Sequence, residues 1–272
     1  MRRRALRAVL VAAIGALLAC GGLSAAAAEP LSVFAAGSLS GAFTELVAAF
    51  GATSDSIAPP VFGPSGVLRK RIEQGERVDL FASADMDHPR RLAAGHPERQ
   101  VVMFTRNRLC LLGRGDLDLS PATVLDRMLD PGLRLATSTP GADPGGDYAW
   151  AVFARADIVR PGAREMLERK ALQLVGGPDS KPLVPGRAAI EGIFLSGRAD
   201  MMLGYCSSGV PVVRAMPDLV NVPLPAELSV GPAYGLVVLT DDPEAARLAL
   251  FVLSERGQAI LGRYGFDPIG LP

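Results

Sequence analysis

Apolar positions along the chain alternate between two patterns. Short, mainly apolar runs lie at 31–36, 57–62, 78–82, 101–105 and 109–113, and again at 133–137, 201–204, 219–222 and 234–239. Runs of this length between turn residues read as strands buried in a sheet. Between them apolar residues recur at helical spacing. Leu39, Phe43, Leu46, Val47 and Phe50 form one such set, and Ala246, Leu250, Phe251 and Leu253 another. Shorter helices are expected behind Ser65 (Leu68 and Ile72), over 85–94, 120–128, 147–155, 161–170 and 187–195, and at 257–264. Strands and helices alternate throughout, so the class is α/β. No repeat of fixed period is present.

Four strand-to-helix junctions carry a turn of small residues. They are Gly37-Ser38, Gly-Pro-Ser-Gly at 63–66, the loop from Ser138 to Gly146, and Tyr-Cys-Ser-Ser-Gly at 205–209. Ser65 is placed to cap its helix. In an open α/β sheet, ligands bind at this edge, where strands end and helices begin. Unpaired N–H groups and the positive helix end make it suited to an anion. One such turn is an ordinary serine cap; the recurrence points to binding. Asp143, in the third turn, reads either as a capping carboxylate or as a group that would repel an anion. The four turns are far apart in sequence. Two lobes with a cleft between them would let them converge, and suit hinge closure on a small ligand.

Composition narrows the classes. The 272 residues are 49% apolar and 21% charged, with 28 basic and 28 acidic side chains. That balance gives no support to a nucleic-acid partner, which would require a basic stripe. Arg2, Arg3 and Arg4, an apolar stretch over 8–19 and Ala-Ala-Ala at 26–28 read as an export signal covering 1–28. Its apolar part is too short for a comfortable membrane span. Leu-Leu-Ala-Cys at 17–20 also resembles a lipobox, so Cys20 is a possible lipid anchor. Cys110 and Cys206 read equally as a disulfide or as two buried thiols, and only their separation decides.

Catalytic chemistry finds little support. His88 and His96, each beside a proline in a polar helical stretch, read as surface residues. There is no G-x-S-x-G elbow, no P-loop lysine and no Cys/His metal spacing. A hydrolase using Ser65 or Cys206 would need one of the two histidines. A regulator's sensing domain would not carry an export signal. Donors without a nucleophile–base pair favour binding over catalysis.

At these residues the chain resembles the periplasmic molybdate-binding proteins of ABC transporters. Four segments carry the resemblance: Val33-Phe-Ala-Ala-Gly-Ser-Leu39; Ser65 through Gly75 running into Val78-Asp-Leu-Phe-Ala-Ser-Ala-Asp85; Gly204-Tyr-Cys-Ser-Ser208; and Asp242-Pro-Glu-Ala-Ala246 with Ser254 through Ile260 and Arg263-Tyr-Gly-Phe266. The resemblance implies a type II periplasmic binding protein, two α/β lobes around a ligand cleft with a two-crossing hinge. Lobe one would be 29–110 plus 207–272, and lobe two 111–206. It implies a tetrahedral oxyanion, molybdate or tungstate, held without a counter-ion, cofactor or free metal ion. Ser38 and Ser65 would supply hydroxyls, and Tyr205 a phenol. The loop with Asp143, Gly145 and Gly146 would supply backbone N–H groups or a carboxylate. Arg187 falls near a helix start that offers an N–H in the family; here it is either beside the ligand or solvated. Tyr-Cys-Ser-Ser departs from the family's Tyr-Gly-Ser-Asp-like run. A periplasmic monomer delivering its ligand to an ABC permease is the implied setting. Sulfate, phosphate or an organic acid are the alternative ligands.

Overall fold

The computed structural model describes residues 29–51 and 57–269. The export signal and Cys20 lie outside the described residues. The chain forms β1 (Val33–Ala36), a 3-10 turn (Gly37–Leu39), α1 (Ser40–Gly51), β2 (Val61–Gly63), α2 (Ser65–Glu73), β3 (Leu80–Ser83), α3 (Asp87–Ala93), β4 (Val101–Arg106) and β5 (Leu109–Arg114). It continues through α4 (Val124–Leu129), β6 (Leu135–Ser138), α5 (Pro144–Val159), α6 (Ala163–Lys170), β7 (Leu172–Val175), α7 (Ala189–Leu195), β8 (Met201–Tyr205) and α8 (Cys206–Ala215). It ends with β9 (Leu219–Pro223), β10 (Ala233–Val238), α9 (Pro243–Leu253) and α10 (Glu255–Arg263).

Two five-stranded sheets result, ordered β2-β1-β3-β10-β4 and β7-β6-β8-β5-β9. The two orders are equivalent. In each, three parallel strands are followed by an antiparallel strand that has just arrived from the other sheet. β10 pairs antiparallel with β3, and β5 pairs antiparallel with β8. The chain therefore crosses twice, at 107–108 and at 224–232. This is the two-lobed architecture of type II periplasmic binding proteins, with the carboxyl ends of β1, β2, β6 and β8 directed at one cleft.

Sheet membership shifts the expected second boundary. The resemblance assigns residues 207–223 to lobe one, but β9 pairs with β5 from Cys110↔Pro223 to Arg114↔Leu219. An apolar run such as 219–222 satisfies either sheet, so its pattern holds no record of which neighbour it joins. β7, absent from the expected strands, is a half-exposed edge strand on β6. Cys110 and Cys206 form a disulfide with Cα atoms 4.8 Å apart, which settles the choice left open by sequence. It ties the start of α8 to β5.

The periodic residues of α1 behave as the pattern requires. Ala42, Phe43, Leu46 and Phe50 are buried, each large side chain contributing about 1.5–3 kcal/mol of burial. Phe43 packs edge-on against Phe104, Phe104 against Tyr234, and Tyr234 against Tyr205. An aromatic row thus runs from the core of one lobe across the hinge to the wall of the other.

Candidate functional site

A cavity of about 550 Å³ lies between the lobes where strands end and helices begin. The first lobe contributes Ala36, Gly37, Ser38, Ser40 and Gly41 from the β1–α1 turn, together with Gly63 and Pro64. The second contributes Ser138, Asp143 and Gly145, then Ala188 to Glu191 at the start of α7, then Tyr205, Ser207 and Ser208 around the start of α8. No side chain caps the 3-10 turn, α7 or α8. The Cys206 N–H is taken by the Arg108 carbonyl at 2.8 Å; the other first-turn N–H groups have no partner within their helices, and residues at these starts line one space. Among the described residues the charged side chains on the wall are Asp143 and Glu191; no Lys, Arg or His is among them.

The predicted site residues separate into two groups. Ser38, Asp143, Gly145 and Tyr205 line the cavity. Ser38 is half-buried in the 3-10 turn, its Oγ 2.9 Å from the Tyr234 hydroxyl. Tyr205 is 8% exposed, and among the described residues its hydroxyl finds no hydrogen-bond partner. A buried unpartnered phenol costs free energy, and a ligand oxygen would relieve it. Burial first, then Tyr234 and Asp143, hold the Tyr205 pKa well above its usual value, so it keeps its proton and can donate.

Ser65, Gly146 and Arg187 do not reach the wall. Ser65 is the first residue of α2, one place beyond the expected cap, and it is fully buried. Its Oγ accepts the Ala84 N–H at 3.1 Å. The next donor of that helix, the Gly66 N–H, is taken by the Ala142 carbonyl of the other lobe at 3.1 Å. Gly146 has a packing role. A Cβ there would lie 2.4 Å from the Pro140 nitrogen and 2.5 Å from the Thr139 carbonyl carbon, so only glycine lets α5 start this close to its own loop. Arg187 is exposed, with a guanidinium nitrogen 3.9 Å from Glu191. The solvated reading of Arg187 is the one that fits, and Ala188–Glu191 take its place on the wall.

Asp143 caps α5. It accepts from the Gly145 N–H at 3.1 Å and from the Ser138 hydroxyl. The backbone donor expected from this loop is thus already occupied by the chain's own carboxylate. Burial raises its pKa, and Asp147 and Asp85 add to that, against the lowering effect of its hydrogen bonds. Gly176, at φ +79°, closes over this pair; a Cβ there would sit 2.1 Å from the Ser138 Oγ, so position 176 must remain glycine. His88 also departs from expectation. It is 6% exposed rather than on the surface, its Nε2 3.8 Å from Asp85, and it stands beside Gly66 where the lobes touch. Periodicity could not show this, because His88 stands beside Gly66, whose surroundings include the Gly141 and Ala142 carbonyls of the other lobe.

The fold and cleft define a solute-binding protein built for capture rather than catalysis. Residues 31–267 match the bacterial extracellular solute-binding protein family, and the chain belongs to it. It is 41% identical over 209 residues to an uncharacterized protein of Pasteurella multocida, covering 76% of this chain and 86% of that one. It is 27% identical over 270 residues to the molybdate-binding protein of Mycobacterium tuberculosis, covering 93% of both. The solved sulfate-binding protein of the same organism superposes with a TM-score of 0.71 at 17% identity, over 89% of this chain and 88% of that one.

Proposed function

We propose that this protein captures a small anion in the cleft and hands it to the membrane permease of an ABC importer, acting as a periplasmic monomer after export. Molybdate or tungstate is the ligand that the sequence resemblance supports, and the mycobacterial relative is named for molybdate binding. One observation carries the reading: helix starts without side-chain caps and the hydroxyl-bearing residues Ser38, Tyr205, Ser207 and Ser208 line one cavity whose wall, among the described residues, holds no cationic side chain. Dipoles and neutral donors stabilise an anion without a counter-ion.

A second reading, an organic anion, rests on size. A cavity of about 550 Å³ lies within the range of pockets for organic molecules, roughly 300–1,000 Å³. Ser65, the second expected hydroxyl, faces away from it.

The test is calorimetric titration of the chain from Glu29 with molybdate, tungstate, sulfate, phosphate and small carboxylates, in buffer free of competing anions. Binding of an anion supports the proposal, and its identity chooses between the two readings. Absence of binding by every anion rejects it.

A further inference from the structure

Asn107 lies at the first crossing between the lobes and is 1% exposed. Its side-chain oxygen accepts the Arg108 N–H at 2.8 Å, which fixes the orientation of the amide. Both protons of its nitrogen therefore point the other way. One meets the Ser207 Oγ at 2.7 Å and the other the Tyr234 hydroxyl at 3.1 Å. Both hydroxyls are thereby acceptors toward Asn107, and each still carries one proton to donate elsewhere. Tyr234 has the Ser38 Oγ at 2.9 Å. With Tyr234 donating, Ser38 accepts, and the proton of Ser38 is left over. Ser38 and Ser207 both line the cavity, one from each lobe.

We propose that Asn107 is a positioning residue that sets the polarity of the anion site: through Tyr234 and Ser207 it leaves the Ser38 and Ser207 protons free for the ligand. The inference rests on the anion reading above and deepens it. A ligand that accepts at both points is favoured, such as a fully ionised oxyanion or a carboxylate. A ligand that must present a proton there is disfavoured. The arrangement also accounts for how a wall without cations supplies directed donors, since two hydroxyl rotors are held by one amide whose own orientation is set by the backbone.

The test uses the chain from Glu29 and titrates molybdate, tungstate, sulfate, phosphate and small carboxylates at neutral pH. The variants are Asn107→Asp, Tyr234→Phe, Ser207→Ala and the double variant N107D/S207A. Asn107→Asp preserves shape but accepts where the amide donates, so Ser207 and Tyr234 turn their protons onto it. Affinity for whichever probe binds the unsubstituted protein should fall at least 100-fold. Tyr234→Phe introduces no charge, keeps the aromatic row, and should weaken binding about 5- to 20-fold. The decisive readout is coupling. Ser207→Ala should cost at least 5-fold in the unsubstituted protein and less than 2-fold beside Asn107→Asp, where that hydroxyl already points away. A merely structural Asn107 would lower the melting temperature without removing the Ser207 effect. Binding changed less than 2-fold by both Asn107→Asp and Tyr234→Phe overturns the inference while leaving the anion reading intact, as does a Ser207→Ala cost independent of residue 107. An unsubstituted protein that binds none of the probes and no carboxylate overturns both.

Discussion

Ser38→Ala and Ser65→Ala should have opposite consequences, although the resemblance gives the two serines the same role. The Ser38 hydroxyl lines the cavity. Its removal deletes one donor to a charged ligand, worth about 1.5–3 kcal/mol, or roughly 10- to 150-fold in Kd. Ser65 is fully buried and accepts from the Ala84 N–H. Its removal leaves that N–H without a partner, at about 1–3 kcal/mol of stability. For a chain of this size the loss corresponds to about 2–12 °C in Tm, with Kd changed less than about 3-fold, well below one hydrogen bond to a charge. Calorimetry and thermal melting of each variant, with and without ligand, separate the two effects. A Ser65→Ala variant that melts normally but binds at least 10-fold more weakly would refute the reasoning and place Ser65 on the ligand.

Three further outcomes follow from the geometry. Replacing Cys110 and Cys206 by alanine opens a link between residues 96 apart; loop entropy sets the cost at about 4–5 kcal/mol, and thermal melting should show a fall of about 8–20 °C. Gly146→Ala forces a Cβ within 2.4 Å of the Pro140 backbone; denaturant titration should show a loss of about 1–3 kcal/mol. Asp143→Asn keeps the cap and removes a buried charge. Because the native pKa is raised by burial, Asp143 favours the fold below the ordinary carboxylate range, and that contribution is lost as pH rises through the native value. The unliganded Asn variant should lack this decline and bind anions more tightly at neutral pH; a pH series of melts checks the first and calorimetry the second.

The strand–helix alternation and the turns that edge the cleft were legible because period and turn chemistry are local. Leu68 and Phe43 report their own helices, and Ser38 sits at its turn whatever lies opposite. What failed depended on partners distant in sequence. The pattern of 219–222 could not show that β9 joins β5. Ser65 reads as a cap, yet its fate is set by the Ala84 N–H just past the end of β3. Arg187 and Ala188 are neighbours in the chain, and only the direction in which α7 enters decides which one faces the cavity. Asn107 carries no motif. Its importance arises from three contacts, to Arg108, Ser207 and Tyr234, two of them more than ninety residues away.

The most direct test of the central claim is a thermal shift of the chain from Glu29 against the same anions, with a neutral sugar and a divalent cation as controls. A ligand at a thousandfold its Kd stabilises by about 4 kcal/mol, or about 8–16 °C here. The account predicts a shift of that size with molybdate, tungstate or another small anion, and none with the controls. No shift with any anion, or a shift with a control alone, would contradict it.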